Sequence, residues 1–235
     1  MHLISIIIPV YNHLADLKKA LYSIKKQSYK NIEVVIVDDG SEVEVAGEIN
    51  PRDFGFNILI HRQENKGAPA ARNKGFELSK GELVIFWDAD VIAAPEMLSK
   101  MQNVLIVHPE ASYAYCDFYY GKKQMKAQKF DAEKLRENNY IMTTGLIRRE
   151  DFPGFDESLK RWQDWDLWLT MLEKNKIGIY IPEFLFFAIP HKGGISGWLP
   201  SFAYKKPWRW LPGISGKVKE YDATKRIVME KHHIT

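Results

Sequence analysis

Leu3 to Ile8 is a continuous apolar run rich in β-branched residues, stopped by Pro9. A short run of this kind, with no polar alternation, predicts a strand buried on both faces. Leu14, Leu17, Leu21 and Ile24 then recur at helical spacing, with Asn12 as the expected N-cap. Ile32 to Val37 repeats the strand pattern and ends in Asp38-Asp39-Gly40-Ser41, a turn cluster. Asn57 to Ile60 predicts a shorter strand, and Pro69 to Leu78 a helix closing near Gly81. Leu83 to Trp87 predicts a fourth strand that runs straight into Asp88-Ala89-Asp90. Pro95 to Val107 reads as a helix with proline in its first turn. Strands alternating with helices imply a parallel α/β sheet.

After Ala111 the pattern changes. Ser112 to Tyr120 is a tyrosine-rich strand candidate, Lys122 to Lys129 a polar stretch without a regular period, and Ile141 to Ile147 another strand candidate. Asp164 to Glu173 predicts a helix with leucines set among tryptophans. No segment reaches the ~18–20 consecutive apolar residues needed to span a bilayer. The N-terminal run has no basic flank and no cleavage-type end, so the chain reads as cytoplasmic, with contact at the inner face of a membrane left open.

Composition changes this picture in two ways. Hydrophobic residues at 46% and charged residues at 27% exclude a disordered chain, and a single cysteine, Cys116, excludes an internal disulfide. The net charge of +3 hides an asymmetry: residues 2–191 carry 24 basic and 27 acidic side chains, net −3, whereas 192–235 carry 9 and 3, net +6. The basic tail also holds Trp198, Trp208 and Trp210. Its 198–212 stretch suits a bilayer headgroup layer or packing on the body, and less well the stacking of nucleic-acid bases. The expected division is therefore a body over 1–191, with halves 1–110 and 111–191, followed by a basic aromatic extension over 192–235.

In open α/β sheets ligands bind at the carboxyl ends of the strands. Here those ends carry Pro9-Val10-Tyr11-Asn12, Asp38-Asp39-Gly40-Ser41 and Asp88-Ala89-Asp90. No Gly-x-Gly-x-x-Gly and no Gly-Lys-Ser/Thr is present, so the ligand is expected to be held by carboxylates and a cation rather than a phosphate loop. Asp88 and Asp90 repel each other unless Mg²⁺ or Mn²⁺ lies between them, although turn-forming aspartates occur without any ion. Gly67 and the alanines around Pro69 allow close backbone approach ahead of a helix N-terminus, and Arg72 offers a planar donor fork unless it is simply exposed. An aspartate among Trp162, Trp165 and Trp168 would be desolvated and suited to general-base work; as a helix cap, with the tryptophans in the core, it has a plainer role. His191, before Lys192-Gly193-Gly194, is a candidate nitrogen ligand or an ordinary structural histidine.

Five elements in order resemble glycosyltransferase family 2, inverting enzymes of the GT-A fold. They are Ser5 to Asn12, Val34 to Ser41, Asn65 to Gly75, Trp87 to Asp90, and Gly154 to Glu157 followed by Gln163 to Trp168. The resemblance implies a Rossmann-like α/β fold with a mostly parallel central sheet flanked by helices and a smaller acceptor-side portion. It implies that Pro9, Tyr11, Asp39, Gly67, Arg72 and Asp88 bind the nucleotide, and that Asp90 and His191 ligate Mn²⁺ or Mg²⁺. It further implies that Asp164 is the general base, with Trp162, Gln163 and Trp165 on the acceptor. Gln163 stands where the family often has glutamate, and Ala188-Ile189-Pro190 where an arginine often precedes the histidine. The donor is expected to be a nucleotide-sugar, by family habit UDP-linked, and the acceptor a glycan or lipid-linked hydroxyl, in surface or cell-envelope glycan synthesis. Two rivals are a sugar nucleotidyltransferase, disfavoured by the missing basic glycine-rich loop, and a non-catalytic binding module, disfavoured by the full set of carboxylates.

Overall fold

The isoleucine run becomes β1 (Ile4–Val10), at the centre of the parallel half of the sheet. The computed structural model describes residues 2–191 and 215–234. β1 pairs in parallel with β2 (Ile32–Asp38) on one side and β4 (Leu83–Phe86) on the other, and β2 pairs in parallel with β3 (Asn57–Arg62). Val10 is in register with Asp38 and Ile7 with Phe86, so the three acidic or polar turns emerge side by side at one sheet edge.

Burial on both faces follows the period of two. Ile4, Ile6, Ile8 and Val10 pack with Leu17, Leu21 and Ile24 of α1 (Leu14–Lys25) and with Met97 and Met101 of α3 (Met97–Val107). Ile7 faces the other way and joins Val84 and Phe86 in a second cluster. Against that face lies α2 (Ala68–Leu78), close enough that a Cβ on Gly75 would collide with the Ile7 side chain.

Parallel pairing stops at β4. The sheet continues through β8 (Leu146–Arg148), β6 (Tyr113–Tyr120), β9 (Gly178–Ala188) and β5 (Val91–Ala93), with β7 (Lys123–Met125) hairpinned on β6. Of these pairs only β6 with β9 is parallel. The result is the anticipated mixed α/β architecture. Two further helices cover the second half, α4 (Ala132–Glu137) and α5 (Gln163–Glu173), and α6 (Ser215–Lys231) docks on this cluster through Val228 and Met229, followed by Ile234 just beyond its end.

Several local expectations are corrected. Asn12 does not cap α1: it takes a left-handed backbone, φ 58°, and its Oδ1 accepts the Glu42 amide, leaving His13 as N-cap. Pro95 precedes α3 instead of opening it. The strand expected over 141–147 is only Leu146–Arg148, because the Ile141 carbonyl is taken by the Trp168 indole and Gly145 packs against that ring. The polar 122–129 stretch contains the short strand β7. Among the described residues no helix is long and apolar enough to cross a membrane. The 198–212 stretch lies outside the described residues.

Candidate active site

Asp38 and Asp39 divide the work at the end of β2. Asp38 is structural: its carboxylate accepts the Ser41 and Val45 amides and pairs with Arg62. Asp39 turns the other way, accepting Gln63 Nε2 at 2.8 Å, the Lys66 amide at 2.9 Å and the Gly67 amide at 2.8 Å. It therefore fixes the loop that leads into α2, where Gly67 takes φ 91°, a backbone that glycine adopts without strain. Pro9 is half-buried and Tyr11 is 48% exposed beside this loop's neighbour β1, leaving the phenol available to a ligand.

Arg72 is not a surface arginine. It is 7% exposed, and its two terminal nitrogens reach Asp88 Oδ1 at 2.7 Å and Gln163 Oε1 at 2.8 Å. The guanidinium also lies over the Phe155 ring at 5.3 Å, and its Nε is buried without a partner among the described residues. One side chain thus joins the Asp-x-Asp turn to the first residue of α5. Asn73, next to it, grips Phe155 through both backbone groups, tying the Asn65–Gly75 segment to the Gly154–Glu157 block.

Asp164 sits half-buried in the first turn of α5. Its Oδ1 accepts the Trp165 amide at 2.9 Å and its Oδ2 accepts Asn139 Nδ2 at 2.7 Å. Burial pushes its carboxyl above the ordinary range, against the opposing pull of the Trp165 amide, Arg72 and Asn139. The tryptophans split into two roles. Trp165 and Trp168 are fully buried, with their indoles donated to the Leu135 and Ile141 carbonyls, so the ring of Trp165 faces the core and not the cleft. Trp162 is partly exposed, takes a left-handed φ of 63° at the helix N-cap, and packs against Tyr221 of α6 at 4.8 Å.

Asp88 and Asp90 lie on the turn between β4 and β5. Burial, then the charges of Asp88 and Asp16, push the Asp90 carboxyl up to about 7. Close by, His191 presents a buried Nε2 that has no hydrogen-bond partner among the described residues, 3.8 Å from Asp90 Oδ2. An orphaned imidazole nitrogen beside a cluster of desolvated carboxylates is the donor set that a borderline divalent cation takes. The expected ligands Asp90 and His191 therefore fit a cation.

Sequence reasoning missed Asn139, which carries no motif, and the Arg72–Gln163 contact, which joins residues far apart in the chain. It gave no signal for Asp16, whose charge bears on Asp90, because an acid in a first helical turn reads as ordinary dipole compensation.

The curled mixed sheet, with its carboxylates gathered at the ends of adjacent parallel strands, has the architecture of GT-A glycosyltransferase structures. The chain belongs to glycosyl transferase family 2, whose model matches residues 5–162. An uncharacterized glycosyltransferase of Haemophilus influenzae is 32% identical over 189 residues, covering 76% of this chain and 75% of that protein. Other curated relatives are longer, with 65% and 60% of their length covered. Glycosyltransferase GlyA of Streptococcus pneumoniae is 46% identical over 118 residues, 49% of this chain and 17% of that one. Among solved structures, Staphylococcus aureus TarS 1–349 in complex with UDP-GlcNAc superposes with TM-score 0.71 at 20% identity, over 86% of this chain and 62% of that one. The mannosyltransferase PcManGT of Pyrobaculum calidifontis, in complex with GDP-Man and Mn²⁺, gives 0.62 at 20% identity, over 82% and 58%.

Proposed function

We propose that this glycosyltransferase is an inverting, metal-dependent enzyme that moves a sugar from a UDP-sugar to an acceptor hydroxyl. The observation that supports the reading is the Arg72 bridge, which joins Asp88 of the Asp-x-Asp turn to Gln163, the residue before Asp164. Pro9, Tyr11, Asp39 and Gly67 would line the nucleotide, with Asp88 toward the ribose. Asp90 and His191 would hold Mn²⁺ or Mg²⁺, which supplies Lewis-acid stabilisation of the departing diphosphate.

Asp164 takes the proton from the acceptor hydroxyl as its oxygen attacks the anomeric carbon from the face opposite the leaving group. One displacement forms the new glycosidic bond, breaks the bond to the diphosphate and inverts the configuration. Burial supports the role, since a base with a raised pKa accepts a proton more readily. Arg72 holds the acceptor helix to the donor turn, so the two reacting parts meet in register. Gln163, committed to Arg72, leaves Trp162 as the aromatic wall beside the acceptor. The glycan or lipid-linked nature of that acceptor, and a role in envelope or polysaccharide synthesis, belong to the same proposal.

Asp164→Asn tests it. Transfer is expected to fall by at least ~100-fold, in the range typical for loss of a general base, with UDP affinity unchanged by calorimetry. A parallel loss of UDP affinity would move Asp164 into the donor pocket and overturn the assignment.

A further inference from the structure

His191 Nε2 has a second acidic neighbour besides Asp90. It lies 3.4 Å from Asp16 Oδ2, in the first turn of α1, and Asp16 is 13% exposed. Separations of 3.4 and 3.8 Å are long for a hydrogen bond. They suit two ligands on one ion, because neighbouring corners of an octahedron of ~2.1 Å radius are ~3.0 Å apart and opposite corners ~4.2 Å. His13 completes the group. Its Nδ1 is 3.8 Å from the same Asp16 oxygen, and its ring centroid is 4.7 Å from that of His191. One ligand atom from each of His13, Asp16 and His191 falls within 4.8 Å of the others.

The backbone that presents this group is fixed. Asn12 in its left-handed conformation donates its amide to Ser41 Oγ at 3.0 Å and accepts the Glu42 amide at 2.8 Å. These bonds tie the start of α1 to the β2 turn and aim residues 13 and 16 at His191. Although His13 stands at the N-cap position, its side chain makes no capping hydrogen bond, so the imidazole is not committed to the helix end. Lys19 pairs with Asp16 Oδ1 from an exposed position, leaving Oδ2 toward the histidines.

We propose that His13 and Asp16 are additional ligands of the cation that Asp90 and His191 hold, so that α1 forms one wall of the metal site. The inference rests on the reading of Asp90 and His191 given above. Two imidazoles with carboxylates make a borderline donor set that favours Mn²⁺ over Mg²⁺. Four protein ligands would leave a six-coordinate cation open to donor oxygens.

The test is a Mn²⁺ titration of the full chain, with and without UDP, followed by loss of the free-ion electron paramagnetic resonance signal. Asp16→Asn is expected to weaken Mn²⁺ binding by roughly 10-fold or more, at least the cost of losing an outer-sphere partner. His13→Gln, at an exposed position, provides a second variant whose folding is secure. Bound Mn²⁺ should show spin-echo coupling to two imidazole nitrogens, and to one in His13→Gln. UDP affinity without metal stays unchanged in both variants. If Asp90→Asn and His191→Gln lose Mn²⁺ while Asp16→Asn and His13→Gln keep full affinity, the α1 ligands are refuted and the Asp90–His191 reading survives. Unchanged affinity in all four variants would remove both.

Discussion

His232 Nε2 lies 2.9 Å from Asp166 Oδ1, and both side chains are 3% exposed. The other ring nitrogen, Nδ1, is 2.7 Å from Glu173 Oε1. With both carboxylates ionised and accepting, a ring that donates from both nitrogens is an imidazolium. Lys231 adds contacts at 2.7 Å to Asp166 and 2.6 Å to Asp156. The end of α6 is therefore bolted to α5 two residues beyond Asp164. Further up α6, Tyr221 and Lys225 cover Trp162 and Trp165. The described part of the basic extension is thus a brace for α5, and it meets body acids through Lys231 and His232.

This clamp makes stability fall as pH rises. Burial of His232 opposes protonation, but the bonds and charges of Asp166 and Glu173 outweigh it and raise its pKa. A group that binds its proton more tightly when folded stabilises fully below its unfolded value of ~6.5, and that stabilisation is lost as pH climbs through the raised folded value. The melting temperature of the wild-type chain should decline over that window. His232→Ala should cost about 1.5–3 kcal/mol below it, as loss of a hydrogen bond to a charged group does, and converge on wild type above. Thermal denaturation across pH checks this; parallel curves for the two proteins would show that the imidazolium contributes nothing.

Arg72 makes a different prediction, because its fork spans two partners, Asp88 and Gln163, that no other single side chain joins among the described residues. Lysine in its place keeps a charge for Asp88 but has no second arm for Gln163. Arg72→Lys should retain UDP affinity within a few-fold and lose roughly 10–100-fold in kcat, as small misplacements of a reacting group do. Kinetics with calorimetry on the same preparation separates the two effects. Wild-type turnover in Arg72→Lys would mean that the contact between donor turn and acceptor helix has no role in the reaction.

The first half of the fold was legible because β1, β2 and β4 are buried on both faces, so apolar runs such as Leu3–Ile8 and Ile32–Val37 mark them without ambiguity. Their acidic ends at Asp39 and Asp88 followed from parallel topology alone. β5 was hidden because three residues carry no period, and α4 because its one buried residue, Leu135, makes no helical stripe. Gly178 gave no signal either, although a Cβ there would collide with the ring of Tyr113, its register partner on β6. At the site, residues such as Asp88, Gln163 and Asp164 could be named, whereas the contacts that join them could not. Asn139, Gln163 and His232 act through contacts made only in the folded chain.

Asn139 offers the last prediction, on the acid side of the pH profile. A general base must be ionised, so turnover falls as pH drops through its pKa. Burial raises that pKa in Asp164, and the 2.7 Å bond from the Asn139 amide holds it partly down by stabilising the carboxylate. Asn139→Ala removes the bond while leaving the burial, so the acid limb of kcat should move to higher pH, with maximal turnover reduced only modestly on the alkaline plateau. Because Asn139 Oδ1 also accepts the Ile141 amide, Asn139→Asp serves as a second variant that preserves that acceptor and places a like charge beside Asp164. It should move the limb the same way and further. UDP release from a UDP-sugar, followed across pH, reads both shifts. A limb that stays put in both variants, with turnover lost at every pH, would make Asn139 a merely structural partner of the 141 loop.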